Sequence, residues 1–229
     1  MNILVINGSP KGENSNSMKL TRAFLNGAGW VNVEIVDVSK SDIKGCLGCY
    51  TCWSKTPGKC IINDSMSGIL QKFISADVII LSFGLYGCYV PGNLKNLMDR
   101  QLPLMYPDMK QDGHESGEHP TRIDLSQKKY VIISTCGFWT AEGNYGGLEW
   151  ILDRGFGKNQ YETIFCGQGE LFSVSEAKER TDEYLEIVRS AGVEYSQKGN
   201  ISEKIKEELS EPLLPKEVFE QAANGSWGG

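Results

Sequence analysis

The chain opens MNILVINGSPKGENSNS (1–17), and the fold turns on how this stretch divides. NILVIN (2–7) is a short apolar run stopped by Gly8, the pattern of a buried strand. SNSMKLTRAFLNGAG (15–29) follows, with Leu20, Phe24 and Leu25 on one face of a helix. A buried strand, a polar turn and an amphipathic helix make the first half of a β-α-β unit.

The same alternation runs outward along the chain. VNVEIVDVS (31–39), DVIILSF (77–83), KYVIIST (129–135) and QYETIFCG (160–167) read as further strands. Helical patterns separate them at SMSGILQKFIS (65–75), where Asp64 can act as a cap, at GNLKNLMDRQL (92–102) and at GGLEWILDRGF (146–156). SEAKERTDEYLEIVRSAG (175–192) closes the series as a long amphipathic helix. Five strands separated by helices predict an α/β fold, a parallel sheet with helices on both faces. The simplest order is 2-1-3-4-5, the doubly wound, flavodoxin-like arrangement. Residues 193–229 differ in character, with two short helices, prolines and a glycine-rich end. They are expected to pack on the 1–192 body or on a neighbouring subunit through Leu213, Leu214, Phe219 and Trp227.

The 229 residues carry a net charge of −6, the reverse of the basic profile of a nucleic-acid binder. VIILSFGLYGCYV (78–90), broken by Gly84 and Gly87, is too short to span a membrane. MNILVING lacks the basic leader of a secretory signal, and seven cysteines is an odd number. The expectation is a cytoplasmic protein with reduced thiols.

In an open α/β sheet ligands sit beyond the carboxyl ends of the strands, so the loops there carry the function. NGSPKGENSNS (7–17) is neither a P-loop nor G-x-G-x-x-G. It sets Ser9, Lys11, Ser15, Asn16 and Ser17 at the start of a helix, where free N–H groups and the positive helix end suit a phosphate monoester. A polar turn with a Ser or Asn cap is the plain alternative. After the third strand, Phe83, Gly84, Leu85 and Tyr86 combine backbone access with an apolar and aromatic wall. After the fourth, Cys136, Gly137, Phe138 and Trp139 repeat that combination. A phosphate at the first loop and a flat ring against the other two describe a flavin mononucleotide, FMN.

GSPKGENSNS (8–17) resembles the phosphate loop of the NADPH-dependent FMN reductase family, which has the flavodoxin-like fold. LYGCYVPGNLKNLMDR (85–100) resembles that family's second flavin loop and following helix. The segment KGCLGCYTCWSKTPGKC (44–60) is similar to the compact cluster motif of the iron-sulfur flavoproteins, a branch of the same superfamily. The resemblance covers roughly residues 1–170. It implies bound FMN, oxidoreductase activity with NAD(P)H or a reduced carrier such as a ferredoxin, a small-molecule acceptor, and a homodimer or homotetramer. Carried over by position, Ser9, Ser15, Asn16 and Ser17 take the phosphate, while Phe83 to Tyr86 and Cys136 to Phe138 flank the isoalloxazine.

Cys46, Cys49, Cys52 and Cys60 are spaced C-x2-C-x2-C-x7-C. Zinc sites usually use two separated knuckles, whereas three cysteines in one run and a fourth beyond suit a 4Fe–4S cluster. The spacing leaves three readings open: a cluster, a thiol site without metal, and zinc. A cluster accepts electrons singly and a nicotinamide delivers them in pairs, and a flavin can mediate. The remaining cysteines, Cys88, Cys136 and Cys166, are given no redox role, and Cys166 is expected in the core. No side chain is assigned as a proton-transfer catalyst. His114 and His119, with Glu115 and Glu118, are read as a solvated loop, and Lys95 and Asp99 as a structural i,i+4 pair.

Overall fold

The computed structural model describes residues 1–109 and 119–227. Its centre is a five-stranded, wholly parallel sheet in the order β2-β1-β3-β4-β5. The strands are β1 (Ile3–Asn7), β2 (Val33–Asp37), β3 (Val78–Gly84), β4 (Lys129–Thr135) and β5 (Tyr161–Cys166). The helices are α1 (Asn16–Ala28), α2 (Thr51–Ser54), α3 (Met66–Ser75), α4 (Gly92–Asp99), α5 (Gly146–Phe156), α6 (Lys178–Lys198), α7 (Glu203–Ser210) and α8 (Lys216–Trp227).

Side-chain alternation splits the core into two layers. Ile3 and Val5 of β1, Ile80 of β3 and Val131 and Ile133 of β4 face α1 and α6. Leu4 and Ile6, Ile79 and Leu81, and Ile132 face α3, α4 and α5. The central strands are thus buried on both faces, which is why their sequences are nearly continuous apolar runs. Registers such as Ile3↔Val33 and Ile3↔Val78 keep like-facing residues in line across the sheet.

On one face α1 and α6 meet backbone to backbone. A Cβ on Gly27 would fall 1.9 Å from the Arg189 carbonyl oxygen, and one on Gly192 would fall 2.0 Å from that of Phe24. Only glycine permits this crossing.

Several boundaries differ from the sequence expectation. β2 is shorter, because Val31 is 98% exposed and lies outside the sheet. α4 stops at Asp99, and a short 3-10 turn over Leu102–Leu104, with Pro103 in its first turn, follows. The cysteine segment holds a one-turn helix, α2, entered through Tyr50 at φ 50°. α6 runs on to Lys198 and ends at Gly199 in the left-handed region, so the expected division at 192/193 falls inside a helix. Beyond it, Ile201, Leu209 and Leu213 are buried in the α1/α6 layer, and Leu214 and Phe219 pack against it. Gln168, itself buried, donates to the Leu214 carbonyl at 2.9 Å and accepts the Leu214 N–H at 2.9 Å. Trp139 donates to the same carbonyl at 3.1 Å. Among the described residues no helix is long and apolar enough to cross a membrane.

Candidate functional site

Asn7 ends β1 and its side-chain oxygen accepts the Ser9 N–H at 3.1 Å. The Ser9 hydroxyl in turn accepts the Lys11 N–H at 3.3 Å. These short-range bonds curl the loop over the strand end, while the Gly8 N–H still donates to the Ser82 carbonyl of β3 at 2.8 Å. Gly8 brings the turn against α4, where a Cβ would lie 2.7 Å from Leu94 Cδ2. Ser15 then caps α1, accepting the Met18 N–H at 3.3 Å, with its hydroxyl 3.2 Å from that of Ser17. The Lys11 side chain is exposed and makes no ion pair among the described residues. Asn16 is already committed, donating to the Gly169 carbonyl at 2.7 Å and accepting from Ser173 at 2.9 Å.

After β3 the chain makes a tight hairpin. Tyr86 and Tyr89 exchange N–H to carbonyl bonds, both 2.9 Å, around Gly87 at φ 54° and Cys88 at φ 59°. Two positive φ values make this a type I′ turn, which glycine accepts at its first central position and Cys88 takes at some cost. Leu85 donates to the Thr135 carbonyl at 2.8 Å, joining this loop to the one after β4. There, a Cβ on Gly137 would come 3.0 Å from a Glu170 carboxylate oxygen. Burial pushes the Cys136 thiol above its ordinary range, so it stays protonated at neutral pH.

These loops enclose a cleft of about 300 Å³ at the carboxyl edge of the sheet. Its first wall is Ser9, Lys11, Ser15, Asn16 and Ser17; its second is Gly84, Leu85 and Tyr86; its third is Thr135, Cys136 and Gly137. Phe83 is fully buried in the core, and Phe138, 49% exposed, lies outside the lining. Gly169 and Glu170, from the loop after β5, complete the cleft and were missed in the sequence. Their signal was the glycine-rich turn Gly167-Gln168-Gly169 at the same sheet edge. A larger hollow of about 570 Å³ follows edge strand β5 toward α7, but the helix start it holds, at Tyr145 before α5, is flanked by Glu142 and Glu149, and its Lys206 is paired with Glu162 and Glu203.

The four cysteines come together at a second place. Cys46, Cys49, Cys52 and Cys60 line one pocket with Leu47, Ile61, Ile62 and Arg100. Cys46 and Cys49 are exposed, Cys60 is half-buried and Cys52 is buried. Burial, then the neighbouring Cys60, pushes the Cys52 thiol up, while the Thr51 hydroxyl draws Cys49 down. Among the described residues no three His, Cys, Asp or Glu side chains converge closely enough to hold one metal ion. A tetrahedral zinc needs all its sulfurs about 2.3 Å from a single point, so the zinc reading finds no support, and the expected 4Fe–4S cluster is not shown by this arrangement either. The space between the walls is only about 20 Å³, the room of a single water. All seven cysteines are unpaired thiols, and Cys166 is in the core at the end of β5. His119 stacks 4.8 Å from Trp53, whereas His114, Glu115 and Glu118 lie outside the described residues. Lys95 and Asp99 form the expected helix-surface pair at 2.6 Å.

Sheet order and the position of the cleft define a flavodoxin-like fold. An FMN-dependent NADH-azoreductase from Bacillus anthracis, solved with FMN, superposes with a TM-score of 0.60 at 20% identity, over 86% of this chain and 100% of that one. An NAD(P)H:quinone oxidoreductase from Methanothermobacter marburgensis gives 0.61 at 16% identity, over 85% and 96%. At these identities the likeness is one of fold. The family model for NADPH-dependent FMN reductase matches residues 1–136, and the chain belongs to that family. Among curated relatives, an iron-sulfur flavoprotein of Methanocaldococcus jannaschii is 38% identical over 106 residues, 45% of this chain and 53% of its own. Another from the same organism is 34% identical over 169 residues, 68% of this chain and 84% of its own. An iron-sulfur flavoprotein of Archaeoglobus fulgidus is 33% identical over 105 residues, 45% of this chain and 46% of its own. The chain thus spans about half the length of two of these three relatives.

Proposed function

We propose that this chain is an FMN-dependent oxidoreductase, passing electrons from NAD(P)H or a reduced carrier to a small acceptor such as a quinone or a flavin. The observation that carries the reading is the cleft itself. Three hydroxyls and an ammonium with no ion pair among the described residues surround the first turn of a 13-residue helix, with no carboxylate on that wall. This donor set fits a phosphate monoester. The opposite walls offer glycine backbone and the Tyr86 ring, which suit a planar heterocycle. FMN, when bound, supplies the exchange between paired and single electrons. The protein's part is to hold the phosphate with Ser9, Ser15, Ser17 and Lys11, and to give a ring close backbone approach at Gly84 and Gly137. Cys136 is kept protonated, so no thiolate competes at the cleft wall. Tyr86 also borders a hollow of about 560 Å³ lined by Pro10, Ser39, Ser41 and Asn93, a suitable berth for a small donor or acceptor. Purified protein should be yellow, or take up added FMN with quenched flavin fluorescence. Protein that stays colourless and ignores FMN rejects the reading.

The cysteine pocket favours a second reading, an iron-sulfur flavoprotein acting as an electron carrier without small-molecule turnover. Four soft sulfurs in an apolar pocket suit a 4Fe–4S cluster, whose ligands stand on different irons and need not converge on a point. Seating it requires more room than the about 20 Å³ between the walls. Stopped-flow mixing separates the readings. Bleaching of the flavin by NADH or NADPH supports the reductase, and bleaching only by reduced ferredoxin supports the carrier. The unpaired thiols suit a cytoplasmic setting.

A further inference from the structure

Arg100 is only 1% exposed and forms part of the cysteine pocket's wall. Its guanidinium grips Asp64 with two bonds, Nη1 to Oδ2 at 2.8 Å and Nη2 to Oδ1 at 3.0 Å. Nη1 also donates to the Lys44 carbonyl at 2.7 Å, and Asp64 accepts the Lys44 N–H at 3.0 Å. Lys44 and Asp64 bracket the cysteine segment, so this one side chain ties both of its ends to the close of α4. Among the described residues the buried Arg100 Nε has no hydrogen-bond partner. Leaving a buried donor without an acceptor is costly, and such orphans point to a missing partner. Arg100 is also the only cation among the pocket's lining residues. Burial alone would lower the guanidinium's basicity. The Asp64 carboxylate and the adjacent Cys60 sulfur together raise it above the ordinary value.

We infer that Arg100 is a positioning residue for a sulfur-ligated cluster, its Nε–H donating to the Cys60 sulfur and its charge offsetting that of the ligated core. The inference rests on the cluster reading given above. Hydrogen bonds to cluster sulfurs and nearby charge are principal determinants of cluster potential. A donor and a cation both favour the more negative, reduced state, so Arg100 raises the potential.

The test uses whole protein prepared anaerobically, assayed for iron and sulfide, then titrated with dithionite through mediators while the cluster's visible band is followed. Each reduced cluster takes one electron from the dithionite. Arg100→Lys keeps a cation against Asp64 and removes the Nε donor. It should fold, show a lowered potential, and lose iron to a chelator roughly ten-fold faster. Asp64→Asn keeps the donor, removes the balancing anion, and should raise the potential. A clamp with a purely structural role would weaken both variants without shifting them in opposite directions. If Arg100→Lys does not fold, the double variant Arg100→Gln/Asp64→Asn should show a lower potential than Asp64→Asn alone. Unchanged potential and chelation rate in a folded, cluster-bearing Arg100 variant overturn the inference while leaving the cluster reading intact. Wild-type protein devoid of iron and sulfide removes both.

Discussion

Lys11 shows how a single side chain can be assigned. It is exposed, stands beside the capped start of α1, and makes no ion pair among the described residues. If it serves the phosphate, Lys11→Ala should weaken FMN binding roughly ten-fold, about 1.4 kcal/mol, with an unchanged melting temperature. Fluorescence titration at two salt concentrations checks this, since the variant should also lose part of the salt dependence. Ser9, Ser15 and Ser17 line the cleft where the sequence sets them, at the turn between a strand and a helix. Asn16 lines the same wall and also bridges to Gly169 and Ser173, and no local pattern reveals a bond across 153 residues. Its place beside Gly84 in the sequence suggests a wall position for Phe83. Strand alternation turns it inward, where it is fully buried.

At the scale of elements, the α1/α6 crossing is the most exacting contact. Gly192→Ala would push a methyl group into the Phe24 carbonyl, and the helices must separate to admit it. A loss of about 1–3 kcal/mol is expected, read as a lowered midpoint in urea unfolding. The joint between α6 and α7 depends on Glu194, which accepts the Ser202 N–H at 2.8 Å and pairs with Lys198 at 2.6 Å. Those partners hold its carboxyl down at about 2, against an ordinary 4.5. A depressed folded-state value means the stabilisation is complete above about pH 4.5 and fades as pH falls toward 2. Glu194→Gln should therefore melt below wild type at neutral pH and match it near pH 2, by circular dichroism. Helix α6 was legible as amphipathic, but its last turn was not. Gly192 looked like a stop signal, whereas its role is to let α1 approach.

For the whole molecule, exposed apolar side chains gather around the cysteine pocket: Leu47, Tyr50 and Ile61 are each more than half exposed. Such a surface is expected to be covered by association. Light scattering with size exclusion should return a multiple of the 25.4 kDa chain mass, and a monomer would reject a homodimer or homotetramer.

By itself the sequence determined the strand order, the two-layer core and the place of the polar loop after β1 at the carboxyl edge of the sheet. Each rests on local periodicity, chain direction and the steric preferences of short segments, all of which are written along the backbone. Only the tertiary structure decided that the loop after β5 completes the cleft with Glu170, that Asn16 bridges loops, and that Arg100 reaches Asp64 beneath the cysteines. Those contacts join residues far apart in the chain, and what brings them together is the packing of helices on a twisted sheet, which no local pattern encodes.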